Sequence, residues 1–144
     1  MRDYTKINAW KLADDLTVAV YERTRLFPNE EMYGLTNQLR RASYSVPANI
    51  VEGSSRESQK DYLHFLYLAR GSLSETQYFI HLSQRLGYLN APVADALIAQ
   101  TKQTFACLHG LIKAVETETG KFGKVIATLT SLLVLYAGRW SSSQ

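Results

Sequence analysis

The sequence predicts an all-α protein: an antiparallel up-and-down four-helix bundle with a kink near Pro47 and an extra C-terminal segment. Three observations carry this. Four segments repeat apolar residues at three- and four-residue steps, and none shows the sustained strict alternation of a strand. The connections between them are short, which favours antiparallel neighbours. No βα alternation and no internal repeat is present, so a parallel-sheet enzyme is excluded.

The first segment carries Trp10, Ala13, Leu16, Val20 and Phe27 on one side, after Asn8 as its expected cap, and stops at Pro28. The second runs from about Leu35 to Glu52. Leu35, Leu39, Ala42, Val46 and Ile50 form its apolar stripe, and Gly53 is its expected stop. Pro47 lies inside it. A proline there has no N–H to donate and its ring crowds the preceding turn, at a cost of roughly 3 kcal/mol or more, so a bend is expected. The third segment opens at Ser58, with Asp61 at capping-box spacing, and continues through Leu66, Leu73 and Ile80. The fourth starts near Pro92 and repeats Leu97, Thr101, Thr104, Leu108, Leu111 and Val115 at alternating steps of four and three, the seam of near-parallel helix packing.

A chain of 144 residues, 46% hydrophobic and 20% charged, is that of one folded domain. The single cysteine, Cys107, excludes an intrachain disulfide and any multi-cysteine metal site, which fits a reducing interior. The opening residues contain no apolar run after their charges, so no secretory signal is expected and the protein is read as cytoplasmic. A net charge of +3 invites a nucleic-acid reading, but its location matters more than its size. Residues 1–118 hold 13 basic and 13 acidic side chains, and the whole surplus is Lys121, Lys124 and Arg139. Any polyanion site on the body must therefore be a local patch.

Enzymatic chemistry finds little support. A di-metal carboxylate bundle needs repeated Glu-x-x-His motifs, and the nearest pattern is Asp61-x-x-His64, once, with aspartate. His64, His81 and His109 stand at unrelated spacings, and Cys107 reads as a core filler. Gly71, in the stretch ARGSLSE, reads as a site of close helix approach rather than a phosphate loop. No catalytic residue, metal or cofactor is expected.

The second segment has ordered faces. At about 100° per residue, Gln38, Arg41, Ser45, Asn49 and Glu52 form a polar stripe beside the apolar one. A third face carries Arg40, Tyr44, Pro47 and Val51. Two apolar faces call for two packing partners, so Tyr44, Pro47 and Val51 are the candidate subunit interface. Ser45 and Asn49 are expected to satisfy backbone groups freed by Pro47, and the arginines and glutamate to form charge-assisted hydrogen bonds. Tyr62, Tyr67 and Tyr78 can stack bases, although tyrosines on amphipathic helices are also packing residues.

These residues resemble the four-helix bundle family of proteins encoded in intervening sequences of bacterial 23S rRNA genes, also called the S23 ribosomal protein family. The match rests on Trp10, Phe27-Pro28, Tyr33-Gly34-Leu35, Gln38, Arg40-Arg41, Ser45, Pro47, Asn49, Glu52-Gly53, Phe65-Leu66, Ala69, Gly71-Ser72-Leu73 and Glu75. It covers about residues 4 to 116. The resemblance implies a non-enzymatic bundle that assembles into a homopentameric ring. A related branch includes the accessory variability determinant of diversity-generating retroelements, a pentamer that binds its reverse transcriptase and nucleic acid. The structural motif carried over is Ser45, Pro47, Asn49, Glu52, Gly53 and Glu75. In a ring, copies of Arg40, Arg41, Arg56, Lys60 and Arg70 can line one surface and bind RNA or DNA, unless Glu52, Glu57, Asp61 and Glu75 neutralise them.

The chain departs from the family after its bundle, so 1–118 and 119–144 are read as two parts. Val125 to Ala137 is apolar nearly all round, yet its 13 residues fall short of the roughly 20 needed to span a bilayer. A fifth helix or strand packed on the bundle or on a neighbouring subunit is expected, with interfacial membrane attachment or an inert tail as alternatives. The expected function is a homo-oligomeric scaffold or adaptor for nucleic acid or a nucleic-acid enzyme; the alternative is a protein or membrane-surface adaptor working through the tail.

Overall fold

The computed structural model describes residues 2–141, with side chains placed for residues 2–118, 120 and 130. Its four α-helices are α1 (Asn8–Thr24), α2 (Leu35–Ser55), α3 (Gln59–Arg85) and α4 (Ala91–Ser141), and no strand occurs among the described residues. Short 3₁₀ turns at Tyr4–Lys6 and Asn29–Glu31 precede α1 and α2. Each helix packs on two neighbours, in the cycle α1–α2–α3–α4–α1.

The apolar stripes close on a common core. Leu16 and Val20, Leu39, Val46 and Ile50, Leu66, Leu73 and Ile80, and Leu108 and Ile112 are all 2% exposed or less. Fully burying such side chains contributes about 1.5–3 kcal/mol each, which is what holds helices of modest intrinsic propensity in place. The antiparallel direction of α3 and α4 is marked by cross-helix bonds: Tyr67 Oη donates to Glu116, and Gln59 Nε2 donates to Glu118 Oε2 at 2.9 Å.

Helix ends follow local chemistry. Ser58 Oγ accepts the Asp61 N–H at 3.0 Å, as the capping-box spacing predicts. Gly87 ends α3 in the left-handed region at φ 78°, which lets Tyr88 N–H reach Ser83 O at 2.9 Å. Asn90 Oδ1 accepts the Val93 N–H at 3.0 Å, and Pro92 sits in the first turn of α4, where a missing N–H breaks no bond.

Three expectations are corrected. The cap position of α1 is Ile7, which makes no side-chain capping bond, and Asn8 is already helical. Gly53 does not stop α2: it is buried, and the helix runs on to Ser55. The segment after residue 118 is not a separate fifth element, because the backbone of α4 is helical from Ala91 to Ser141. How the apolar side chains of 125–137 pack lies outside the described residues. Among the described residues no helix is long and apolar enough to cross a membrane.

Candidate interaction surfaces on α2 and α3

Pro47 is buried inside α2. Because it lacks an N–H, the carbonyl of Ser43, one turn earlier, loses its helical donor. That oxygen accepts instead from Thr17 Oγ1 of α1 at 3.0 Å, a hydroxyl that also lies 2.8 Å from Ala13 O. The repair comes from the neighbouring helix and not from Ser45 or Asn49. Burial also removes Pro47 from the candidate subunit interface. Of that trio, Tyr44 is 46% exposed and Val51 is half-buried.

Ser45 and Asn49 build something else. Asn49 Nδ2 donates to Ser45 O at 2.8 Å and to Ser45 Oγ at 3.1 Å, and Ser72 Oγ of α3 donates to the same Ser45 Oγ at 3.1 Å. Ser45 Oγ thus accepts from both its own helix and the neighbouring one. Beside it opens a cleft of about 240 Å³ lined by Gln38, Arg41, Ala42, Ser45 and Glu75. The polar stripe of α2 thus meets Glu75 of α3, bringing one cation, one anion, an amide and a hydroxyl together on the surface. Among the described residues neither Arg41 nor Glu75 is in an ion pair.

Close helix approach occurs at Gly53. A Cβ added there would lie 2.8 Å from Phe65 Cβ and 3.0 Å from Tyr62 Cδ2, so only glycine lets α2 and α3 meet. At Gly71 a Cβ would meet nothing within 4 Å; that residue is exposed, and the close-approach reading moves from Gly71 to Gly53.

The five candidate cations do not form one patch within the subunit. Arg40 is a strut: its Nε donates to Thr24 Oγ1 at 2.8 Å, and its guanidinium lies 4.8 Å from the Tyr21 ring centroid on α1. Arg56 is paired with Glu52 one turn earlier and lies over Phe65 at 4.9 Å. Arg70 lies over Tyr67 at 4.8 Å. Arg41 and Lys60 are exposed, Arg41 at the α2–α3 cleft and Lys60 in the first turn of α3. Arg2, which the sequence reading passed over, ties the start of the chain to this end of the bundle: Nη1 donates to Arg56 O at 3.1 Å, Nη2 to Gln59 Oε1 at 3.0 Å, and the guanidinium covers the Tyr62 ring at 4.3 Å. Burial raises the Tyr62 phenol above its ordinary value, partly offset by the nearby Arg2.

His64 stands edge-on to Phe65 at 5.6 Å, and Cys107 is half-buried with a free thiol. Among the described residues no three His, Cys, Asp or Glu side chains converge as a metal site.

Residues 5–110 match the model of a family described as 23S rRNA-intervening sequence protein. The fold is similar to the crystal structure of a protein of unknown function from the S23 ribosomal protein family of Bacteroides thetaiotaomicron VPI-5482. That likeness has a TM-score of 0.68 at 21% identity, covering 73% of this chain and 98% of the other. No curated protein matches the chain.

Proposed function

The chain belongs to the 23S rRNA-intervening sequence protein family, and we propose that it is a non-enzymatic cytoplasmic scaffold that assembles with copies of itself, a pentamer by the family resemblance. Its cargo in this reading is nucleic acid or a protein that works on nucleic acid. The observation that carries the assembly is the exposed apolar surface along the outside of α1 and α2. Tyr44 is 46% exposed, with Val51 half-buried two turns on; across the helix pair, Tyr21 and Val18 are 39% and 54% exposed. Arg40 lies one turn from Tyr44 and stacks on Tyr21, so the two helices present this surface as one rigid piece. Apolar patches of this kind mark sites of association. Light scattering on the full chain tests the reading: a mass several times 16.3 kDa supports it, and a monomer at high micromolar concentration refutes it.

A second reading draws on α4. Its 51 residues, against 27 in α3, give it a rod of about 77 Å where α3 has about 41 Å. An adaptor that engages its partner through residues 119–144 would lose that partner, but not its bundle, when they are deleted. A deletion variant that captures the same partners as the full chain would rule this reading out.

A further inference from the structure

The body of the chain balances its charges overall, but not helix by helix. Between Glu75 and Asp95 there is no acidic residue, and between Asp95 and Glu116 there is again none. The first interval is the C-terminal part of α3 and the turn after it; the second lies in the N-terminal half of α4. Since α3 and α4 pack antiparallel, these two acid-free stretches lie side by side. They carry Arg85, Lys102 and Lys113, with His81 and His109. Of these, Lys113 is held by Glu116 at 3.5 Å, whereas Lys102 is in no ion pair among the described residues.

A groove opens on this face. It is about 460 Å³ and is lined by Ser74, Gln77, Tyr78, His81, Ile98 and Lys102. Its chemistry is graded. Ile98 is half-buried against the core and forms an aliphatic floor. Tyr78 is 57% exposed, its ring braced by Phe79 at 5.5 Å, and forms an aromatic wall. Lys102 and His81 are exposed at the rim, and Gln77 offers an amide. A flat π face over an aliphatic floor, with a cation at the margin and no acid among the lining side chains, suits a nucleobase joined to a phosphate. A duplex keeps its bases stacked on one another, so only an unpaired strand can present one to Tyr78.

We propose that the α3–α4 groove binds single-stranded nucleic acid, with one base against Tyr78 and Ile98 and the adjoining phosphate on Lys102. This rests on the nucleic-acid part of the function proposed above, and moves the contact surface from Arg40, Arg41, Arg56, Lys60 and Arg70 to the groove between α3 and α4.

The test is fluorescence anisotropy of labelled 20-mers on the full chain: ribo- and deoxyribo-oligomers, single-stranded and as duplex, over a salt series. The expected result is tighter binding of a single strand, of either sugar, than of duplex. Tyr78→Ala and Lys102→Glu should each weaken it about tenfold or more, while Tyr78→Phe, which keeps the ring, and Arg41→Ala leave it within about twofold. Lys102→Glu should also flatten the salt dependence by about 0.7 in log–log slope, one phosphate contact on a single strand. Both positions are exposed, and circular dichroism of the variants confirms that they remain folded. Wild-type binding that survives Tyr78→Ala and Lys102→Glu overturns this inference and leaves the broader reading standing. Tighter binding of duplex than of single strand overturns it too. Absence of binding to any oligomer at low salt overturns both.

Discussion

Thr17 Oγ1 of α1 donates to the carbonyl of Ser43 in α2, 3.0 Å away, the acceptor that Pro47 leaves without its helical partner. A proline buried in a helix is thereby made tolerable by a hydroxyl from the next helix. The pair has a signature in a double-mutant cycle. Thr17→Val removes the donor at nearly constant shape and should destabilise by about 1–3 kcal/mol in chemical denaturation, the cost of an unsatisfied buried acceptor. In a Pro47→Ala background the backbone N–H is restored and the same substitution should cost close to nothing. Equal penalties in both backgrounds would show that Thr17 does not serve the proline.

Gly53 and Gly71 should respond in opposite directions to the same change. Gly53→Ala places a methyl 2.8 Å from Phe65 Cβ and forces α2 from α3, with an expected loss of about 1–3 kcal/mol. Gly71→Ala meets nothing within 4 Å and should gain about 0.5–1 kcal/mol from helix propensity. Urea midpoints of the two variants, one lower and one higher than wild type, check this.

The Tyr67 hydroxyl donates to Glu116, and this bond is the main reason the Glu116 carboxyl is held below its usual 4.5, with Lys113 helping. A carboxyl depressed in the folded state contributes stability above its unfolded pKa and loses that contribution as pH falls through the folded value. The affected window therefore lies below about pH 4.5. Tyr67→Phe should raise the Glu116 titration toward the ordinary range in a carboxyl-resolved NMR titration. An unmoved Glu116 would assign the depression to Lys113 and His109.

The regular parts of the bundle were legible because they are local or periodic. Leu35, Leu39, Ala42, Val46 and Ile50 recur on one side of α2 and are all buried. Ser58 and Asp61 cap α3 through a fixed spacing. What the sequence hid is what passes between helices. Thr17 is 26 positions from Ser43, and nothing in the spacing of either announces the bond. Gly53 is ambiguous in the sequence, because a helix stop and a close helix contact both call for a residue without Cβ. The arginines stand close together in the chain, whereas the fold sends Arg40 to α1, Arg56 to Glu52 and Arg70 to Tyr67. Conversely, the acid-free stretches of α3 and α4 are plain in the sequence, but they become one surface only when the helices pack side by side.

The claim on which the functional account turns is that the outer face of α2 joins subunits. Sedimentation equilibrium of wild type beside a Tyr44→Arg, Val51→Glu double variant tests it most directly. Both residues lie outside the core cluster, so the variant should keep its helical circular dichroism. The account predicts a wild-type mass that is a multiple of 16.3 kDa and a variant that sediments at 16.3 kDa. A folded variant with the same mass as wild type would contradict it.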